Sequence, residues 1–497
     1  MLKNTNSLIQ TGLYSKKGFL FSVYIFLIIT VIISFPILPQ LTDNLFYLNA
    51  ARNISEFKIY FSGLKEYQLS WPIFYSFILS FFSWSGIYIS KVARSLNLVF
   101  FIASILLIKK NSNFKDIFIF VPLIFINFFY FETIIIEVTD ILFFFQTFLL
   151  LHFLRKENSL LNTFAVFFIT LIAAMTKFTA IIYPLTIIMC FISNYIIFKT
   201  RPRTDMVYFL LAVMAGFFIG QRFNSSINTY HTKTLGIPIN LIWENDFSSV
   251  LLMLKDAFLN NIINLSSYPK KLNLLSSFFI PLRILGNKGF SVFISLPILY
   301  FVLLGLIKHF RNASKIRLEV CMFVIYLSLF LVTKNMATRH LILIFPFLWL
   351  FFLEGLGQSK LKNFLVLISL CANFSIISWF ILFGNRGEHF GIINVANNKP
   401  FYKNEYQDLY KIINKNKGLL YGKNIYTNSN KGRFISYWIG QNIIYAYRPL
   451  NEISFKSESF FIGPTEKFSD MEKKLFFKGI SNEQSVSLYK IPFTNLE

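Results

Sequence analysis

Long apolar runs recur along the chain and are separated by short clusters of Lys and Arg. Many of the runs reach about 20 residues, the length that a helix needs to cross the hydrocarbon core of a bilayer. The pattern predicts eleven membrane-spanning helices, at 19–38, 91–108, 117–131, 141–154, 160–176, 180–198, 206–222, 290–307, 318–333, 341–357 and 364–384. Residues 39–90 and 223–289 are predicted to form two long loops on the outer side of the membrane.

The positions of the basic clusters predict the orientation. Pairs such as Lys16-Lys17, Lys109-Lys110 and Arg155-Lys156 flank the apolar runs, and the positive-inside rule places them in the cytoplasm. This orientation requires that the aromatic segment Trp71–Trp84 does not cross the membrane, so we interpret it as a helix lying on the outer surface. We therefore expect an integral protein of the bacterial inner (plasma) membrane, with its N-terminus in the cytoplasm and its C-terminus outside.

Composition supports the membrane assignment and narrows the class of protein. The 497 residues are 55% hydrophobic and include 63 Phe, and the mean hydropathy is +0.56. The net charge of +24 is spread over the loops that flank the membrane, with no recognisable nucleic-acid-binding fold, so a nucleic-acid partner is not expected. The three cysteines lie inside apolar runs, which argues against a disulfide framework or a metal cluster.

The last part of the chain has a different character. Residues 385–497 are rich in Gly, Asn and Lys and contain no membrane run. Helical spacing appears over Tyr406–Lys415, and short strands separated by turns are predicted at 424–426, 443–447, 459–462 and 486–489. We expect a transmembrane module over 1–384 and a small extracytoplasmic α/β domain over 385–497.

The first candidate for chemistry lies just past the first apolar run. Leu45, Leu48 and Ala51 fall at helical spacing, which predicts a short helix on the bilayer surface with Asp43 near its N-cap. Asp43 then either caps this helix or is the carboxylate presented at the mouth of a membrane-embedded site.

A second group of acids lies in the predicted outer loop 132–140. Glu132, Glu137 and Asp140 would all lie at the membrane surface, with Glu137 and Asp140 three residues apart. Acidic residues beside hydrocarbon are costly and tend to mark functional sites. The alternative is that they are ordinary residues of a hydrated loop that caps the next helix.

Two cations are predicted at the outer ends of spans, where the positive-inside rule disfavours them. Lys177 follows Thr176, and Arg339 precedes His340. Either cation could be an interfacial anchor with its charge extended to the membrane surface. A phosphate site is the functional alternative, because a guanidinium offers a planar fork to phosphate oxygens.

Taken together, these residues resemble a motif layout found in the GT-C glycosyltransferases. These are polytopic enzymes that use polyprenyl-phosphate sugars, and the resemblance is strongest to the aminoarabinose-transferase, protein-mannosyltransferase and RgtA/B/C/D-like branch. It extends over most of the chain. One departure is Asn44, which stands where the family has a Glu. The matching residues are Asp43, Tyr47, Ala50, Ala51, Asp140, Thr176, Lys177 and Arg339.

The resemblance implies an α-helical polytopic fold and an inverting transfer of a sugar. The donor would be a polyprenyl-phosphate sugar and the acceptor a lipid, a glycan or a protein on the outer face of the bilayer. No cofactor and no metal ligand are assigned, and the participation of a divalent metal stays open. The implied catalytic residues are Asp43 and Asp140, and the implied substrate-binding residues are Tyr47, Glu137, Lys177, Arg339 and His340.

Two other classes of protein remain compatible with this sequence. An O-antigen-type polymerase or ligase also acts on polyprenyl-linked glycans, but it would carry its basic residues in large outer loops. A lipid or glycan transporter would place charged residues in the middle of the membrane and show repeat symmetry. The polymerase or ligase would need no acidic base in the first outer loop, and the transporter would not need the outer α/β tail.

Overall fold

The structure is a computed structural model, in which two compact units are distinguished by their internal contacts. The first unit comprises residues 1–32, 97–135 and 139–379, and the second comprises residues 33–96, 136–138 and 380–497. Each unit is described by itself below. The described residues are 42–56, 72–111, 123–135, 139–157, 159–199, 204–223, 288–312, 317–332, 342–357, 360–383, 404–427, 432–445, 458–464, 478–482 and 486–491.

Helices dominate the described part of the chain before residues 385–497, which we call the tail. In chain order they are α1 (Thr42–Ser55), α2 (Phe74–Ser80), α3 (Ile89–Asn111), α4 (Phe128–Ile135), α5 (Asp140–Leu154), α6 (Leu160–Thr176), α7 (Ile182–Phe198), α8 (Thr204–Phe223), α9 (Lys288–Asn312), α10 (Leu318–Val332), α11 (Ile344–Leu356) and α12 (Lys360–Phe383).

Nine of these helices, α3 and α5 to α12, coincide with predicted spans to within five residues. Among the described residues, three stretches are long and apolar enough to cross a membrane, at Ile89–Lys110, Thr179–Ile197 and Met206–Phe223. The protein is therefore an integral membrane protein. The predicted span 19–38 lies outside the described residues, so the total of eleven spans remains a prediction.

The structure differs from the sequence prediction around α4. The predicted span 117–131 was followed by a loop from residue 132, whereas Phe128–Ile135 is helical. Phe131 and Ile134 are completely buried, and the Tyr130 hydroxyl donates a hydrogen bond to the carbonyl of Ile342, 2.9 Å away. The helix continues through Glu132 because apolar residues on both sides of it are buried. The gain from this burial outweighs the unfavourable effect of a single acidic residue.

Close helix packing in the first unit depends on glycine. Gly216 and Gly220 lie one turn apart on α8 and face α6. A Cβ atom at Gly216 would lie 2.5 Å from the Phe167 carbonyl oxygen, and one at Gly220 would lie 2.7 Å from the Leu171 carbonyl oxygen. This is the small-residue spacing that lets membrane helices approach backbone to backbone.

The second unit contains α1, α2 and the tail. The predicted surface helix at 71–84 is observed as α2 and a 3₁₀ helix, Ser83–Tyr88, and neither is long enough to span a bilayer. The Tyr47 ring on α1 meets the Tyr75 ring on α2 edge to face, with the centroids 5.5 Å apart. This contact holds the middle of α1 against α2.

The described residues of the tail form a mixed α/β structure. Its strands make one five-stranded sheet in the order β2-β1-β3-β5-β4. β1 pairs in parallel with β2 and β3, and β5 pairs antiparallel with β3 and β4. The elements are α13 (Asn404–Leu420), β1 (Asn424–Thr427), α14 (Gly432–Ile439), β2 (Ile444–Tyr445), β3 (Ser459–Pro464), β4 (Lys478–Asn482) and β5 (Val486–Ile491).

Four strands and one helix of the tail were predicted, whereas α14 and β4 were not. The sheet buries Ile425, Phe461 and Leu488 at its centre. The contacts group residues 33–96 with residues 380–497 in one compact unit. This grouping follows contacts and does not test the predicted division of the chain. A transmembrane module over 1–384 and a separate domain over 385–497 remain a prediction.

Candidate functional site

The structure brings together two of the residues that the sequence singled out, Asp140 and Lys177. Asp140 is the first residue of α5, where a negative charge also complements the helix dipole. Lys177 follows the last residue of α6 in an extended conformation (φ −157°, ψ 138°). Its backbone N–H still donates to the Ala173 carbonyl, at 2.8 Å, so the chain leaves the helix in a fixed direction.

Asp140 and Lys177 form an ion pair, in which Lys177 Nζ donates to Asp140 Oδ1. The pair is withdrawn from water, with side-chain exposures of 2% for Asp140 and 12% for Lys177. A buried ion pair costs desolvation energy to form, and the loss of either partner leaves the other charge uncompensated. The geometry therefore makes the two residues mutually dependent.

An aromatic and hydroxyl cluster lies beside this pair. Lys177 Nζ lies 5.8 Å from the centroid of the Phe143 ring, and Phe143 stacks on Tyr183 with the centroids 5.6 Å apart. The Tyr183 hydroxyl and Thr147 Oγ1 are hydrogen-bonded at 2.8 Å. Asp140, Phe143 and Thr147 share one face of α5, because they are three and four residues apart.

A second polar contact supports the end of α6 beside Lys177. Gln146 Nε2 donates to Thr176 Oγ1, at 2.9 Å, and Thr176 Oγ1 donates to the Ile172 carbonyl, at 2.7 Å. Sequence reasoning missed Gln146 and Tyr183. The signal that could have found them is polar side chains within apolar helical runs, where an unsatisfied polar group is costly.

The candidate residues of the first predicted outer loop lie on α1, in the second unit. Asp43 is in the first turn of this helix, and its side chain is outside the described part of the structure. Tyr47 is 3% exposed and packs against Tyr75, as described above. Ala50 and Ala51 are completely buried, which accounts for small residues at these positions.

The last turn of α1 makes a set of hydrogen bonds that the sequence did not predict. Arg52 Nη1 donates to the Ser436 carbonyl at 3.2 Å, and Arg52 Nη2 donates to Ser436 Oγ at 3.3 Å and to Asn442 Oδ1 at 3.1 Å. Asn53 Nδ2 donates to Asn442 Oδ1 at 3.1 Å, and Asn442 Nδ2 donates to Asn53 Oδ1 at 3.0 Å. We call Arg52, Asn53, Ser436 and Asn442 the Arg52 network.

Burial governs the electrostatics of the Arg52 network. It lowers the pKa of the Arg52 guanidinium from its ordinary value, and the nearby charge of Glu56 opposes this shift. The guanidinium nevertheless remains ionised, because the ordinary pKa of Arg is far above neutral pH. Its described hydrogen-bond acceptors are neutral oxygens, including the Ser436 carbonyl in the last turn of α14, where the helix dipole favours a cation.

Three other predicted site residues, Glu137, Arg339 and His340, lie outside the described residues. Within the described part of the chain, no group of three or more His, Cys, Asp or Glu side chains could hold a metal ion. The roles assigned to all of these residues remain predictions.

Searches against family models and curated proteins found no match to this chain. Solved structures do match. ArnT from Cupriavidus metallidurans in the apo state has 8% sequence identity and a TM-score of 0.58, with 95% of this chain and 98% of that chain covered. The same protein bound to undecaprenyl phosphate has 9% identity and a TM-score of 0.56, with 96% and 98% covered.

A further match is the archaeal oligosaccharyltransferase AglB from Archaeoglobus fulgidus, in complex with an inhibitory peptide and a dolichol-phosphate. It has 10% identity and a TM-score of 0.49, with 92% of this chain and 70% of that chain covered. The likeness to ArnT shows that this chain has the fold of that protein. At these identities it is a likeness of fold.

Proposed function

We propose that this protein is a membrane glycosyltransferase that moves a sugar from a polyprenyl-phosphate donor to a lipid, glycan or protein acceptor. The observation that carries the proposal is the likeness to ArnT over nearly the full length of both chains, in apo and undecaprenyl-phosphate-bound states. The transfer would take place on the outer face of a bacterial plasma membrane, with inversion at the anomeric carbon. The charge pattern of the loops supports this orientation.

In the proposed reaction, an acceptor hydroxyl attacks the anomeric carbon of the donor sugar. The new glycosidic bond forms as the bond to the phosphate oxygen breaks, and the polyprenyl phosphate leaves with the electron pair of that bond. Asp43 accepts the hydroxyl proton. An aspartate with an ordinary pKa near about 3.9 is ionised at neutral pH and is a weak base, so proton transfer would come late in the reaction.

The leaving phosphate gains negative charge, and cations placed beforehand would stabilise it. Lys177 and Arg339 are the proposed cations, with Tyr47, Glu137 and His340 as further substrate contacts. The ion pair supports a positioning part for Asp140 in this scheme: it would hold the Lys177 ammonium in one position before the donor binds. Its charge is already engaged by Lys177, which favours Asp43 over Asp140 as the base.

The experiment is sugar transfer by the purified protein in detergent, from a panel of polyprenyl-phosphate sugars to a membrane lipid extract. We expect Asp43→Asn to lower the rate by about 10²–10⁴-fold while the protein folds normally, because loss of a general base typically costs this much. Glu458→Gln, at the residue that precedes β3 in the tail, is the matched control for loss of one carboxylate. Normal transfer by Asp43→Asn together with loss in Asp140→Asn would move the base to Asp140.

A further inference from the structure

Asp43 and Arg52 lie at opposite ends of α1. Its first turn carries Asp43 and its last turn carries Arg52, nine residues later. At 1.5 Å per residue, the two positions are about 13 Å apart along the helix axis. Between them, Tyr47 is held against Tyr75. The direction of α1 is thus defined at its middle by α2 and at its end by the Arg52 network.

The tail side of the Arg52 network is rigidly built. After α14 the chain turns at Gly440, where φ is +85°, and the Gly440 N–H donates to the Ser436 carbonyl at 3.0 Å. Gln441 Nε2 donates to the Lys423 carbonyl at 2.7 Å, and Gln441 Oε1 accepts from the Gly422 N–H at 2.7 Å. Asn442 therefore meets α1 from a turn whose own position is fixed.

The Arg52 side of the network completes the end of α14. The Ser436 carbonyl accepts from Arg52 Nη1 as well as from the turn that follows it. The Gly440 and Gln441 N–H groups already donate to this carbonyl, so Arg52 adds a further hydrogen bond, and its cation meets the negative end of the helix dipole. Arg52 of α1 thus acts as a cap for a helix that lies 384 residues later in the sequence.

From this arrangement we infer that Arg52 and Asn442 are positioning residues, through which the tail sets the orientation of α1 and so the placement of Asp43. The inference rests on the proposed function for its catalytic part. A tilt of α1 by about 5° around the Arg52 end displaces the first turn by about 1 Å. A displacement of that size at a reacting group costs up to about 10²-fold in rate.

Two variants test the network, and a third tests rescue. Asn442→Leu removes the amide that bonds both Arg52 and Asn53, and Ser436→Ala removes the weaker Oγ contact in a variant that disturbs packing less. Asn442→Asp keeps an acceptor for Arg52 and adds a charge attraction. Glu458→Gln is the control, because this residue pairs with Lys423 and Lys490 on the sheet.

The first measurement is hydrogen exchange of the α1 amides in full-length protein in detergent. We expect Asn442→Leu to accelerate exchange over residues 45–55 by about tenfold to a hundredfold, because bonds to a charged group are lost. Ser436→Ala should give a smaller acceleration, Asn442→Asp a rate near that of the wild type, and Glu458→Gln no change in α1. Unchanged α1 exchange in both Asn442→Leu and Ser436→Ala would overturn the inference.

The second measurement separates kcat from KM for the polyprenyl-phosphate sugar. We expect kcat to fall by about tenfold or more in Asn442→Leu and to recover in Asn442→Asp, with KM for the donor nearly constant. A normal kcat with accelerated exchange, or a lowered kcat with normal exchange, would overturn the link between the network and catalysis. An inactive wild type would refute the proposed function, while exchange would still decide whether the network holds α1.

Discussion

Lys177 in the first unit and Arg52 in the second are both largely withdrawn from water, but different kinds of group receive their hydrogen bonds. Lys177 donates to a buried carboxylate, Asp140. The Arg52 guanidinium donates to the carbonyl and hydroxyl of Ser436 and to the amide oxygen of Asn442. One buried cation is stabilised mainly by an opposite charge, and the other by several neutral dipoles arranged around a planar fork.

This difference determines what each site tolerates. At Lys177 the sign of the charge is the main requirement, because Asp140 would otherwise be an unpaired buried anion. At Arg52 the main requirement is geometry, because three directed bonds from one guanidinium cannot be reproduced by an ammonium. Glu458, which is exposed and lies between Lys423 and Lys490, provides a third case in which water screens the charges.

The largest effect is expected from breaking the buried ion pair. Lys177→Met and Asp140→Asn should each destabilise the protein by about 3–5 kcal/mol, because each leaves one uncompensated buried charge. The double variant should recover much of this loss, since it leaves neither charge. Thermal unfolding of the four proteins in detergent measures the cycle. Losses that add fully in the double variant would show that the two side chains do not depend on each other.

Exchanging Lys and Arg, which conserves the charge, should have different effects at Arg52 and at Lys177. Arg52→Lys keeps the charge but loses part of the fork, so we expect it to cost about 1.5–3 kcal/mol, the range for hydrogen bonds to charged groups. Lys177→Arg also keeps the charge and can still pair with Asp140, so it should cost less than Lys177→Met. The same unfolding assay compares them. An Arg52→Lys protein as stable as the wild type would mean that charge alone holds α1.

The exposed cluster should give the smallest effect, confined to acid. Lys423 and Lys490 lower the pKa of Glu458 to about 2 from its ordinary value of 4.5. Since the folded-state pKa is depressed, its stabilising contribution is present above pH 4.5 and is lost as the pH falls towards 2. The difference in Tm between the wild type and Glu458→Gln should shrink across this window, and also at high salt. A difference independent of pH would exclude an electrostatic origin.

The membrane helices were predictable because each depends on a local property. Helices α5 and α6 match their predicted spans almost to the residue, since uninterrupted apolar runs define where a helix can lie in a bilayer. In the tail, α14 and β4 escaped prediction. The first begins at a glycine, and the second is a polar edge strand with an irregular register between Gly479 and Ser481.

The candidate site was predictable one residue at a time but not as an arrangement. Asp140 and Lys177 each stood out as a charge next to an apolar run, yet nothing in the sequence indicates that they pair with each other. Arg52, Ser436 and Asn442 match no motif that we could recognise in the sequence, so they carried no signal before folding. Their contacts arise from tertiary structure, to which hydrophobic periodicity is insensitive.

The 384 residues between Arg52 and Ser436 set the earliest time at which α1 can make its contacts with the tail. At a synthesis rate of about 5–20 residues per second, α1 is made roughly 20–80 s before the residues of the tail that contact Arg52. During that interval the buried end of α1 has no tail to contact, and the Arg52 side chain is hydrated. Nascent chains arrested before residue 436 should therefore expose α1 to protease, and release of the full-length chain should protect it.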